Sequence, residues 1–269
     1  MSPDARFEGA LIHVVGRLVL LFLVAPMLVV GLASLDPGQF FTFPPQSISV
    51  FWYAEFLRDS SWRAALILTL TIATFTGLLA TVIGGLAGIA VARIAPRFRR
   101  FLYALLVAPL AVPVIVLAIS FYGVVLRLHI VGSLGTFVAA NTLLTVPLVA
   151  LFVAGAALGA DPRLEFASLS LGASRWRTLW RITVPVIAPT AIAGGILAFL
   201  NALDEVVMSV FLVAPGRTPL AVKMFLQVQT STPPIVMAAS SLLILSSVVV
   251  VGSLTVLRGV VGSLWHPGR

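Results

Sequence analysis

Six stretches of the chain carry no charged residue over lengths that match a lipid bilayer: 18–35, 64–92, 101–126, 128–160, 182–203 and 224–257. Crossing a hydrocarbon layer of about 30 Å takes about 20 helical residues at about 1.5 Å each. Each interval therefore admits one span, and none comfortably admits two. Composition enters as a check on this reading. The chain is 60% hydrophobic and 10% charged, against about 45–50% apolar and about 25% charged for soluble domains. A folded soluble chain must clothe its outside with polar side chains, so the solvent here is largely lipid. The fold class expected is all-α, a polytopic membrane protein with six transmembrane helices. Turn residues trim the longer intervals: Gly132, Ser133 and Gly135 precede the fourth helix, and Pro233-Pro234 precede the sixth. The helices are placed near 14–35, 65–92, 102–126, 137–158, 186–212 and 235–257.

An even number of spans puts both termini on one side, and the basic residues say which. Segments on the side of the termini hold Arg6, Arg17, Arg93, Arg97, Arg99, Arg100, Arg163, Arg175, Arg177, Arg181, Arg258 and Arg269. The other side holds Arg58, Arg63, Arg127, Arg217 and Lys223. Residues 1–13, the loops 93–100 and 159–182 and the tail 258–269 are thus expected in the cytoplasm. The net charge of +8 is an orientation signal; without a basic soluble face it gives no reason to expect nucleic acid. The first interval is longer than a secretory h-region of about 7 to 15 residues, so it is expected to stay as a span. The following loop, 36–62, carries Trp52, Tyr53, Phe56 and Trp62, suited to the outer headgroup layer. A short helix over 49–59 lying flat is one reading of it, and an ordinary connector the other.

Most catalytic chemistry is missing. The chain has no cysteine, which removes disulfides, thiolate catalysis and cysteine-held metals. His13, His129 and His266 are scattered singly, with no metal-ligand spacing, and no metal is expected. The single lysine, Lys223, follows Val222, so there is no Walker A loop to cradle ATP. Glycine and alanine pairs at spacing four, Gly84 with Gly88, Gly155 with Gly159 and Ala191 with Gly195, suit close helix packing within the chain.

The richest segment runs from Asp161 to Pro189. Asp161-Pro162 is a cap and first-turn pair, and Gly172-Ala173-Ser174 is a turn with Ser174 as the next cap. Two short helices hinged at a glycine result, the second bearing Trp176 and Trp180 among arginines. A merely solvated loop needs neither the tryptophans nor the caps, so a docking surface is expected.

Glu165-Phe166-Ala167, Leu171-Gly172-Ala173, Val184-Pro185 and Pro189 resemble the EAA loop of permease subunits of bacterial ABC importers. Leu203-Asp204-Glu205-Val206-Val207, Ala221-Val222-Lys223-Met224-Phe225 and Phe43-Pro44-Pro45 with Trp52-Tyr53 are similar to the spermidine/putrescine type. The resemblance covers about 18–257 and implies a MetI-like six-helix permease domain over 14–257, in the bacterial inner membrane. It implies a non-enzymatic transport subunit for a polyamine or similar cation. Its implied partners are a second permease subunit, two ATP-binding subunits holding ATP-Mg and an external substrate-binding protein; no cofactor is expected on this chain. Glu165, Phe166, Ala167, Leu171, Gly172, Ala173 and Trp176 are the implied coupling residues. Phe166 stands where the family usually has alanine, and Asn141 where relatives commonly have histidine.

Asp204 and Glu205 sit beside a 22-residue uncharged stretch, an expensive place for two carboxylates. With Asn141 they are the candidate substrate pathway. The competing reading has the helix ending sooner and the acids facing external water or a partner subunit. Thiamine, ferric iron, phosphonate and opine-like solutes remain alternative cargo, and an ATP-independent channel or secondary transporter is the reading from another class.

Overall fold

The computed structural model describes residues 3–38, 43–230 and 234–265, with side chains described from 12 to 253 within those stretches. Pro233 and His266 lie outside the described residues. The helices, in chain order, are α1 (Pro3–Ala33), α2 (Phe51–Arg58), α3 (Ser60–Arg93), α4 (Pro96–Ala111), α5 (Val114–Arg127), α6 (Leu134–Gly159), α7 (Pro162–Ser170), α8 (Arg175–Thr178), α9 (Val184–Asp204), α10 (Leu220–Thr230) and α11 (Ile235–Trp265). Among the described residues five apolar stretches are long enough to cross a membrane, and α4 with α5 makes a sixth if that bent pair counts as one span.

Two places differ from the spans read in the sequence. The helix expected over 102–126 is broken, its halves α4 and α5 meeting at 93°. Pro113 has no amide hydrogen and drives the residue before it into extended backbone; Val112 accordingly has φ −86°, ψ 132°. The helix expected over 186–212 stops at Asp204. Glu205 turns extended, and a single 3₁₀ turn, Ser209–Leu212, follows.

The chain divides into two compact units, one formed by residues up to 63 with 226–249, the other by 64–225 with 250 onward. In the first, the segment after α1 is tied down by its own polar groups. Ser34 Oγ and Tyr53 OH share a 2.6 Å hydrogen bond, Trp52 Nε1 donates to the Gly38 carbonyl at 3.2 Å, and the Gly38 amide donates to the Asp36 carboxylate at 3.0 Å. Phe56 is fully buried against Trp62.

The second unit is organised around α3, α6 and α9. Lipid tails are as apolar as leucine, so helices associate here by close packing rather than by escape from solvent. The glycines of α3 permit that approach: a methyl group on Gly88 would lie 2.6 Å from the Ala150 carbonyl of α6, and one on Gly84 2.7 Å from Val149. Gly77 of α3 meets Gly195 of α9 backbone to backbone. Gly155 and Gly159 face open space instead, so of the small-residue pairs only those on α3 and α9 pack inside the chain. Ala80, Ile89, Val149, Val153, Ile187 and Ala198 fill the spaces between these helices. Polar side chains inside the unit satisfy backbone: Thr69 Oγ1 accepts the Leu220 amide at 2.7 Å, and Arg217 donates to the Gly132 carbonyl at 3.2 Å.

Replacing Gly88 by leucine should cost about 1–3 kcal/mol through overpacking, read as a lower unfolding temperature in detergent. Gly155→Ala, with no neighbour in reach, should leave that temperature unchanged or slightly raised, because alanine favours the helix over glycine.

Candidate functional site

The segment between α6 and α9 is built from local capping chemistry. Asp161 has extended backbone and its carboxylate accepts the Arg163 amide at 2.9 Å, with Pro162 at the first helical position. α7 closes in a Schellman arrangement: the Gly172 amide donates to Leu169 at 3.0 Å and the Ala173 amide to Ser168 at 3.1 Å. Gly172 sits at φ +82°, where a Cβ costs about 1–2 kcal/mol. Ser174 Oγ then accepts the Arg177 amide at 3.3 Å to start α8, and Ser168 Oγ meets Thr178 Oγ1 at 3.0 Å, bracing the two arms of the hinge. Beyond α8, Leu179–Thr183 forms a widened π turn before Pro185 opens α9.

The arms carry exposed apolar side chains. Leu171 is 89% exposed, Phe166 and Trp176 67% each, and Trp176 stacks edge-to-face on Trp180 at 5.5 Å. Ala167 and Gly172 are also exposed and Ala173 is half-buried. Among the coupling residues read in the sequence, Glu165 alone turns back toward the bundle. Its Oε1 accepts from Arg93 Nη2, at the end of α3, at 2.7 Å. The same Nη2 donates to Thr183 Oγ1 at 2.7 Å, and the Thr183 hydroxyl donates to Glu165 Oε1. The three groups thus bond one another in a closed triangle beside a cavity of about 260 Å³ lined also by Asp161, Ala157 and Val186.

The acidic pair separates into two roles. Glu205 caps the 3₁₀ turn: its carboxylate accepts the Met208 amide at 2.6 Å, and the Ser209 amide and hydroxyl at 2.9 and 2.8 Å. Asp204, at the end of α9, is exposed. With Asn201 and Glu205 it lines a pocket of about 380 Å³ whose other wall is the α4–α5 break, Pro109, Leu110, Val112 and Val114. Asn141 is not part of that lining. It is buried in α6, where its Nδ2 donates to the Phe137 carbonyl at 2.9 Å and its Oδ1 has no partner among the described residues. Arg93, Thr183 and Asn201 were not singled out by the sequence. Arg93 and Thr183 reach Glu165 across 72 and 18 residues, and no local pattern announces such a meeting.

Residues 80–258 match the family described as binding-protein-dependent transport system inner membrane component. The chain belongs to that family. It is 31% identical over 240 residues to the putrescine transport system permease protein PotI of Escherichia coli (strain K12), covering 86% of this chain and 84% of that one. It is 30% identical over 238 residues to the spermidine/putrescine transport system permease protein PotC of the same strain, covering 88% and 90%. Its fold is that of a chain in the crystal structure of a bacterial alginate ABC transporter complexed with an alginate pentasaccharide-bound periplasmic protein, with a TM-score of 0.74 at 15% identity over 95% and 96% of the two chains. This permease is therefore a multi-pass inner-membrane transport subunit of an ABC importer, and not an enzyme.

Burial pushes the Glu165 carboxyl up, but the Thr183 hydroxyl and the Arg93 guanidinium outweigh it and hold the group below its ordinary value. A depressed folded value means stability present above the unfolded pKa of about 4.3 and lost as pH falls through the lower folded one. In thermal unfolding of the permease in detergent, Thr183→Ala should lower the midpoint at pH 7 by about 2–4 °C. That gap should close as the pH is taken below the ordinary carboxylate value.

Proposed function

We propose that this permease forms part of the import pathway for a polyamine or similar small organic cation. Asp204 lies at the cation's route, and the loop 159–182 docks on a separate ATP-binding subunit. The observation that carries the substrate reading is the pocket in which Asp204 and Asn201 face a broken helix. The carbonyl ends of α4 and α9 both terminate at this pocket, and helix C-termini carry partial negative charge. The N-terminus of α5 offsets part of that field, leaving the Asp204 carboxylate as the deciding charge. An ammonium group losing its water needs such an anionic partner. The two polyamine permeases that resemble the chain over most of its length support the same cargo.

Glu205 belongs to the pocket wall as its architect: three donors occupy its carboxylate and fix the turn that ends α9. Asn141, outside the lining of the acid pocket, has a buried carbonyl oxygen with no partner among the described residues, and in this reading it shapes α6 rather than touching cargo.

On the ATPase side, Leu171, Phe166 and Trp176 form the apolar centre of the docking face, with Ala167, Gly172 and Ala173 shaping it and Arg163, Arg175, Arg177 and Arg181 around it. Their excess of exposed apolar area is the mark of a partner surface, and the basic rim favours an acidic cleft. The termini, including residues 1–13 and 258–269, lie in the cytoplasm on the same side as this loop, following the arginine bias. The full importer has a second permease, two ATP-binding subunits that hold ATP-Mg, and an external binding protein that selects the solute. Closure of the nucleotide-binding pair moves the docked loop and shifts the permease between inward- and outward-open states.

Radiolabelled polyamine uptake by cells expressing the whole importer tests the pathway. Asp204→Asn should reduce uptake by about tenfold, equivalent to about 1.4 kcal/mol, while complex assembly is unchanged; full uptake by this variant removes Asp204 from the route. Copurification tests the docking face. Trp176→Ala combined with Leu171→Ser should abolish recovery of the ATP-binding subunit with the permease, and undiminished recovery would refute the assignment.

A further inference from the structure

The loop between α6 and α9 is covalently continuous with those two helices, so any displacement of it acts on them directly. α3 has no such link. Among the described residues its charged tie to the loop is Arg93, the last residue of α3, whose Nη2 bonds both Glu165 of α7 and Thr183 of the π turn leading into α9. Further along, α3 is fitted into α6 through Gly84 and Gly88 and into α9 through Gly77 and Gly195, at separations that leave no room for a methyl group.

We propose that Arg93 is a positioning residue that fastens α3 to the coupling loop, so that α3, α6 and α9 move as one body during the transport stroke. The proposal rests on the reading of 159–182 as the ATPase-docking loop. The driven part of the permease is then three helices rather than the two that flank the loop.

Two features of the triangle suit a mechanical joint. First, guanidinium, hydroxyl and carboxylate each bond the other two, so removing any one loosens the remaining pair. Charge-assisted bonds of this kind are short and directional. Second, the partners come from three elements, the end of α3, the first turn of α7 and the π turn leading into α9. A bond between only two of these would permit rotation about it; three attachment points remove that freedom. The glycine contacts then carry displacement of the joint along the helices, because packed interiors deform little.

The wild-type chain has no cysteine, so a pair of introduced thiols can be labelled cleanly. Ala90 and Ser170 are exposed on α3 and α7. With spin labels at Ala90→Cys and Ser170→Cys in the assembled importer, the interlabel distance should be the same in the nucleotide-free and ATP-trapped states. In the Arg93→Gln background it should shift or broaden between the two. A distance that changes equally with Arg93 present overturns the proposal.

Transport gives the second readout, as solute imported per ATP hydrolysed in proteoliposomes. Arg93→Gln should lower this ratio several-fold while the ATP-binding subunit still copurifies, and Arg93→Lys should recover part of it. Glu165→Gln should lower it comparably, and the double variant should be no worse than either single one. Strictly multiplicative losses, or an unchanged ratio in Arg93→Gln, also overturn the proposal. Failure of the wild-type permease to recover any ATP-binding subunit would instead sink the docking assignment, so the two failures are told apart.

Discussion

Inside a bilayer no water is available to the peptide groups, so each N–H and C=O must be satisfied by the protein itself. The rest of the structure depends on that demand. It makes the spans helical, and it restricts non-helical backbone to places where protein or a polar cavity surrounds it. Because the surrounding hydrocarbon rewards no apolar burial, cohesion comes from close contact, and glycines of α3 let α6 and α9 approach closely. Valines and alanines of the three helices then interlock around those points.

The α4–α5 break is the exception that the same demand explains. At Val112–Pro113 the hydrogen-bond ladder is interrupted, and the interruption forms one wall of the pocket occupied by Asn201 and Asp204. α9 ends at that pocket too, its exit fixed by the three donors on Glu205. Two helix ends and a carboxylate thus share one space, which gives the polar groups a lining role that an unbroken span would deny them.

Much of the architecture was legible in the sequence because bilayer thickness and capping are local rules. Uncharged run length locates the apolar helices, and Asp161, Pro162 and Ser174 mark where the two arms begin. What escaped was long-range or antagonistic. The uncharged run 101–126 looked like one helix because prolines are tolerated in spans, and nothing in its hydropathy distinguishes a bend from a 93° break. Asp204 and Glu205 looked equivalent as neighbours on a chain; the turn that follows separates them, committing one to backbone amides and leaving the other at the pocket. Arg93 read as a marker of sidedness, and its bond to Glu165 spans 72 residues. The resemblance to EAA loops named Glu165 without saying what it holds.

The tryptophan pair on the hinge also bears on how the subunit is made. Trp176 and Trp180, with Leu171 and Phe166, are large apolar side chains left exposed on the hinge. A newly inserted copy that meets no mate offers chaperones and proteases the kind of surface they recognise. A copy whose face stays uncovered therefore carries an aggregation liability that a covered copy does not.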